Sequence, residues 1–147
     1  MMVHASAEQH QPVSSYLRVL MVEDSPADAK LVEWELTNAG YQASVRRMET
    51  ESELQAALDD CLWDIVTCDY RLPQFSAPAA LALVRGHSAD LPFIVISGTI
   101  GEEAAVEMMR GGAHDYLMKG NLARLGPAVE RELRDAAGRA QRLRAEA

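Results

Sequence analysis

Five side chains able to do chemistry stand where apolar runs of the chain stop: Glu23 and Asp24 after LRVLMV, Asp69 closing WDIVTCD, Ser97 closing LPFIVIS, and Lys119 after AHDYLM. Each is unremarkable alone, and an acid such as Asp69, followed closely by a proline, commonly does no more than start a turn. Brought together, three carboxylates, a hydroxyl and an ammonium are the equipment for covalent phosphoryl transfer with a carboxylate as nucleophile. Asp69 takes the phosphoryl group in this reading, Lys119 neutralises one of its oxygens, and Ser97 hydrogen-bonds another. Gly98 offers no side chain to obstruct a donor. Three like charges in one cleft raise one another's pKa values unless a cation is present. Mg²⁺ is the natural one, being held by few carboxylates and keeping sites for phosphate oxygens. With Lys119 included, the charges of that assembly cancel.

The elements that must position these groups are legible from pattern. Strand-like runs cover Leu17 to Val22, Tyr41 to Met48, Ile65 to Asp69, Leu91 to Ser97 and Ala113 to Met118. Helices are expected between and after them. The first is opened by Ser25 at the N-cap, Pro26 in the first turn and Asp28 near the positive end of the dipole, and Asn38-Ala39-Gly40 stops it. Its apolar stripe reads as Leu31, Val32, Trp34 or Glu35, and Leu36. Thr50 caps a second helix with Leu54, Ala57 and Leu58, and Ser76 and Pro78 open a third. The fourth runs from Glu102 to Arg110 with Ala105, Val106 and Met109, and the last starts near Asn121. Alternating strands and helices give an α/β fold, a doubly wound five-stranded parallel sheet with helices on both faces. In strand order 2-1-3-4-5, flavodoxin-like, the carboxyl ends of the first and third strands are neighbours, and ligands bind there.

Bulk properties exclude several classes. A chain of 147 residues is about one domain, and no stretch is apolar enough to cross a bilayer. Residues 1–15 carry no apolar signal segment and are expected to form a mobile tail, so a cytoplasmic location without membrane attachment is expected. A net charge of −8 argues against direct DNA binding. Cys61 and Cys68 lack metal-type spacing and read as small buried hydrophobes. His87 and His114 read as surface or structural residues.

In order and at these strand ends, Glu23-Asp24, Asp69 in DYRLP, Ser97 in VISGT and Lys119 in DYLMK resemble the receiver domain of bacterial two-component response regulators. The similarity spans about Leu17 to Leu133. It implies a phosphoacceptor at Asp69, supplied by a sensor histidine kinase or histidine phosphotransfer protein. It further implies Mg²⁺ held by Asp24, Asp69, Glu23 directly or through water, and the backbone carbonyl of Arg71. Tyr116 would be the switch aromatic acting with Ser97, and the surface of the fourth helix, fifth strand and fifth helix would control a downstream protein partner or a homodimer. Such a protein catalyses its own phosphorylation and slow dephosphorylation and is not otherwise an enzyme. Two departures stand out. Gly120 follows Lys119 where the family usually has proline, which favours a trans peptide and a different turn, and Ala77 replaces a common glycine.

Other readings fit less well. A flavodoxin-type carrier needs a phosphate-cradling loop where this chain has the acidic Glu23 to Asp28, and a haloacid-dehalogenase-type phosphatase needs an acid where Arg71 stands. A degenerate receiver-like scaffold would not require the complete acid, hydroxyl and lysine set. The domain is expected over residues 16–135, with residues 136–147 extending the last helix. The pattern Leu122, Leu125, Val129, Leu133, Ala136, Ala140 and Leu143 suits either a docking or dimerising helix or a solvated helix end.

Overall fold

The computed structural model describes residues 16–98 and 101–146. The expected tail over residues 1–15 lies outside the described residues, as do the two positions after Gly98. Strands β1 (Tyr16–Val22), β2 (Gln42–Met48), β3 (Ile65–Asp69), β4 (Phe93–Ser97) and β5 (Asp115–Met118) form one parallel sheet in the order β2-β1-β3-β4-β5. The connecting helices are α1 (Pro26–Asn38), α2 (Glu51–Asp60), α3 (Ala77–His87) and α4 (Glu102–Arg110), with α5 (Leu125–Glu146) last.

Pleat parity divides the core in two. Leu20, Val22, Val66, Cys68, Phe93 and Val95 face α2, α3 and α4, whereas Leu17, Val19, Met21, Ile65, Ile94, Ile96 and Leu117 face α1 and α5. Successive strand residues point to opposite faces, so a strand buried on both must be apolar throughout. β3 and β4 are fully buried. Thr67 interrupts that rule, since its hydroxyl is buried among the described residues without a hydrogen-bond partner. An unsatisfied buried hydroxyl costs about 1–3 kcal/mol. Thr67→Val is therefore expected to raise unfolding stability by about 1 kcal/mol, measured as a higher urea midpoint at unchanged slope.

Helix ends follow the expected chemistry. Ser25, Thr50 and Ser76 cap α1, α2 and α3 through their hydroxyls, and Thr50 with Glu53 closes a capping box. Gly40 and Gly112 leave α1 and α4 at φ +101 and +109, a region that favours glycine. Several expectations need correction. α1 buries Ala29, Val32 and Leu36, while Leu31 and Trp34 are exposed, and α4 buries Met108, while Val106 and Met109 are exposed. The chain after β5 first makes a 3₁₀ helix, Lys119–Arg124, so α5 starts at Leu125 rather than near Asn121. No peptide is cis among the described residues, so Lys119–Gly120 is trans as its sequence favoured. α5 runs through residue 136 without a break, and Arg139 on it binds Asp90, Nε to Oδ1 at 3.2 Å.

His114 is a structural hub at the amino end of the sheet. Its Nδ1 accepts the Phe93 amide at 3.1 Å and lies 3.0 Å from Arg85 Nη2, whose guanidinium also binds the carbonyls of Gly112 and Leu91. Burial, with the charges of Arg85 and Arg139, lowers its pKa to about 4 from an ordinary 6.5. The unfolded chain then takes up this proton before the folded one does. Its contribution to stability is complete above about pH 6.5 and is lost as pH falls towards 4. Acid titration of stability is expected to flatten in that window in His114→Asn, whose amide oxygen can still accept from Phe93; a curve parallel to wild type would remove His114 as the cause.

Candidate functional site

Register brings the strand-end groups together. Val22 opposes Cys68, so one step further Glu23 stands beside Asp69; Asp69 opposes Ile96, next to Ser97; and Ser97 opposes Met118, directly before Lys119. Counting on in twos from the buried residues places Glu23, Asp69 and Lys119 on the α1 side of the sheet. The same count places Ser97 and Tyr116 on the α3 and α4 side.

Glu23 is almost wholly buried. Its amide donates to the Met48 carbonyl at 3.0 Å, Arg47 holds its carbonyl at 2.9 Å, and the Ser25 amide donates to its Oε2 at 3.2 Å. Asp69 is 7% exposed, with the Arg71 amide donating to Oδ1 at 3.3 Å and Lys119 Nζ to Oδ2 at 3.1 Å. Arg71 also bridges Ser76 in antiparallel fashion, closing the loop between β3 and α3. Lys119 reaches Glu23 Oε1 at 3.2 Å as well, and Asp28 Oδ2 at 2.7 Å.

The electrostatics reflect crowding. Burial raises the Glu23 pKa to about 7, reinforced by Asp69 and opposed by the Ser25 amide and Lys119. Burial works against the charge on Lys119, but its hydrogen bonds to Asp28 and Asp69 outweigh it and raise its pKa above the ordinary lysine value. Tyr116 is raised by burial while the nearby Ser97 hydroxyl pulls it down, and among the described residues no hydrogen bond of ordinary geometry reaches the buried phenol oxygen.

Glu23, Asp24 and Asp69 each offer an oxygen within 4.8 Å of the others. An all-oxygen donor set of this charge suits a hard divalent cation. The sequence charge balance changes, because it counted three carboxylates and Asp28 is a fourth against the same ammonium. Asp28 was legible only as a helix-start acid. The missed signal is parity, since groups on the α1 side of the sheet must meet whatever the first turn of α1 carries.

A cavity of about 420 Å³ lies away from these groups, lined by Leu58, Trp63, Leu91, Leu133 and also Cys61. It contains none of the strand-end side chains, and it corrects the reading of Cys61, which is half-buried at its wall rather than packed like Cys68.

The family model described as the response regulator receiver domain matches residues 19–130. The chain belongs to that family. This receiver is 28% identical over 103 residues to the cell cycle transcriptional regulator CtrA of Caulobacter vibrioides, across 70% of the chain and 44% of CtrA. It thus spans under half the length of that curated relative. Among solved structures, a signal receiver domain from Vibrio parahaemolyticus superposes with a TM-score of 0.75 at 24% identity, covering 86% of this chain and 96% of that one. The receiver domain of a Pseudomonas aeruginosa sensor histidine kinase, which has a magnesium ion coordinated in its active site cleft, superposes at 0.68 and 22% identity over 80% and 97%. Both share the receiver fold. No described helix is long and apolar enough to cross a membrane.

Proposed function

We propose that this receiver accepts a phosphoryl group on Asp69 from a histidine kinase or histidine phosphotransfer protein in the cytoplasm, and that phosphorylation switches the surface of α4, β5 and α5. The observation that carries the reading is a buried Asp69 held 3.1 Å from an ammonium and within ligand reach of two further carboxylates. In the transfer an Asp69 oxygen bonds to phosphorus while the phosphorus–nitrogen bond of the donor breaks, its electron pair staying on the imidazole. Lys119 keeps its proton throughout and neutralises a phosphoryl oxygen. Glu23, Asp24, Asp69 and the Arg71 carbonyl are the groups that would hold Mg²⁺. When bound, that ion offsets charge developing on the phosphoryl oxygens. The magnesium seen in the kinase receiver supports this assignment.

Ser97 and Tyr116 are the proposed switch pair, since they share one face of the sheet and the buried phenol oxygen lies close enough to the Ser97 hydroxyl to feel it. Arg71 stands where a phosphatase of haloacid-dehalogenase type would place its second acid, which supports a phosphoacceptor with slow turnover rather than an enzyme. Output is proposed to run through a protein partner or a second copy of the chain. Amide NMR spectra with Mg²⁺ and beryllofluoride test the reading. Shifts at Ser97, Tyr116 and along α4 are expected; spectra that do not change would contradict it and favour an inert scaffold. Size measurement under the same conditions separates a dimeric output from a partner switch.

A further inference from the structure

The Lys119 ammonium donates hydrogen bonds to Asp28 Oδ2 at 2.7 Å and Asp69 Oδ2 at 3.1 Å, and Glu23 Oε1 lies at ion-pair distance, 3.2 Å. A phosphoryl oxygen that Lys119 neutralises competes with these three carboxylates for the one ammonium. The shortest contact goes to Asp28, which sits in the first turn of α1 and not at a strand end. Its side chain is 35% exposed, against 5% for Glu23 and 8% for Asp69. Once released, the Asp28 carboxylate can turn to water, whereas the other two cannot without leaving a buried charge uncompensated. Asp28 is therefore the partner that is exchanged.

We propose that Asp28 is a positioning residue that holds Lys119 towards α1 in the unphosphorylated protein and restrains phosphorylation of Asp69, because its carboxylate, the nearest to the ammonium, competes with a phosphoryl group for it. The proposal rests on the phosphoacceptor reading and adds to it a competitor within the chain. Two effects act in the same direction: competition for an N–H, and one more negative charge beside an incoming phosphate. Asp28 is well stationed for the role. Its amide donates to Ser25 Oγ at 3.2 Å, and the Ser25 amide in turn binds Glu23 Oε2, so the first turn of α1 is tied to the site. No proton changes place in the exchange, since Lys119 swaps one acceptor for another.

The full chain with acetyl phosphate and Mg²⁺ provides the test, with phosphoprotein followed by intact mass. Asp28→Ala and Asp28→Asn are expected to raise the initial rate of incorporation about two- to fivefold, the coupling range of a partly exposed ion pair. Asp28→Glu restores the charge and should return the rate towards wild type. Asp28 keeps its backbone amide bond to Ser25 in every variant and its carboxylate is one of several around a single ammonium, so the variants should remain folded, and melting curves check this. Equal or slower labelling in the charge-removing variants, with wild type labelled on Asp69, would overturn the competitor role and leave the phosphoacceptor reading intact. Wild type that fails to label would overturn both.

Discussion

Asp69→Asn is expected to reduce phosphoryl incorporation to background while the protein folds and melts at or above the wild-type temperature. The amide is close in size to the carboxylate and can still accept the Arg71 amide hydrogen bond, but it is no nucleophile towards phosphorus. Stability should not suffer, because four carboxylates surround one ammonium and removing one charge relieves repulsion. The same change removes one of three clustered negative charges, so Mg²⁺ affinity should fall roughly tenfold or more. Labelling that survived would place the acceptor elsewhere. A variant that failed to fold would show that the Asp69 charge is structural.

Lys119→Met should do the reverse to stability. Breaking a buried ion pair by removing one partner costs about 3–5 kcal/mol, and the lysine serves two buried carboxylates and one half-exposed one. Part of that loss is recovered when Glu23, already raised to about 7, takes up a proton. A net loss of about 3 kcal/mol is expected in the metal-free protein near neutral pH, measured by urea unfolding. Mg²⁺ should stabilise the variant more than wild type, since the uncompensated acids bind it more tightly. Phosphoryl incorporation should fall on the order of a hundredfold, the usual cost of losing one stabilising group at the reacting centre. An unchanged urea midpoint would show that the three short contacts contribute little.

The sheet and the strand-end groups were readable because each buried strand is a short apolar run that stops on a polar residue. Boundaries were less so: Leu91-Pro92 and Ala113-His114 look strand-like but lie before β4 and β5. On α1 the sequence suggests a stripe of Leu31, Val32, Trp34 or Glu35, and Leu36, but docking on the sheet buries Ala29, Val32 and Leu36 and leaves Leu31 and Trp34 outside. A small residue such as Ala29 carries little hydrophobic signal but permits a close approach, which a count of large apolar positions cannot register. Lys119 was placed correctly at a strand end, yet its three partners come from β1, β3 and α1. That contact is long-range, so no local pattern announces it. The role of His114 was hidden for the same reason, since its partners Phe93 and Arg85 are set by tertiary packing.

Peptide mapping of the wild-type chain after exposure to acetyl phosphate asks whether Asp69 is the covalent acceptor. With Mg²⁺ present, a single phosphoryl group is predicted on the peptide containing Asp69, labile to hydroxylamine as an acyl phosphate is, and absent when Mg²⁺ is chelated. No incorporation, or a hydroxylamine-stable phosphate on another residue, would contradict the account.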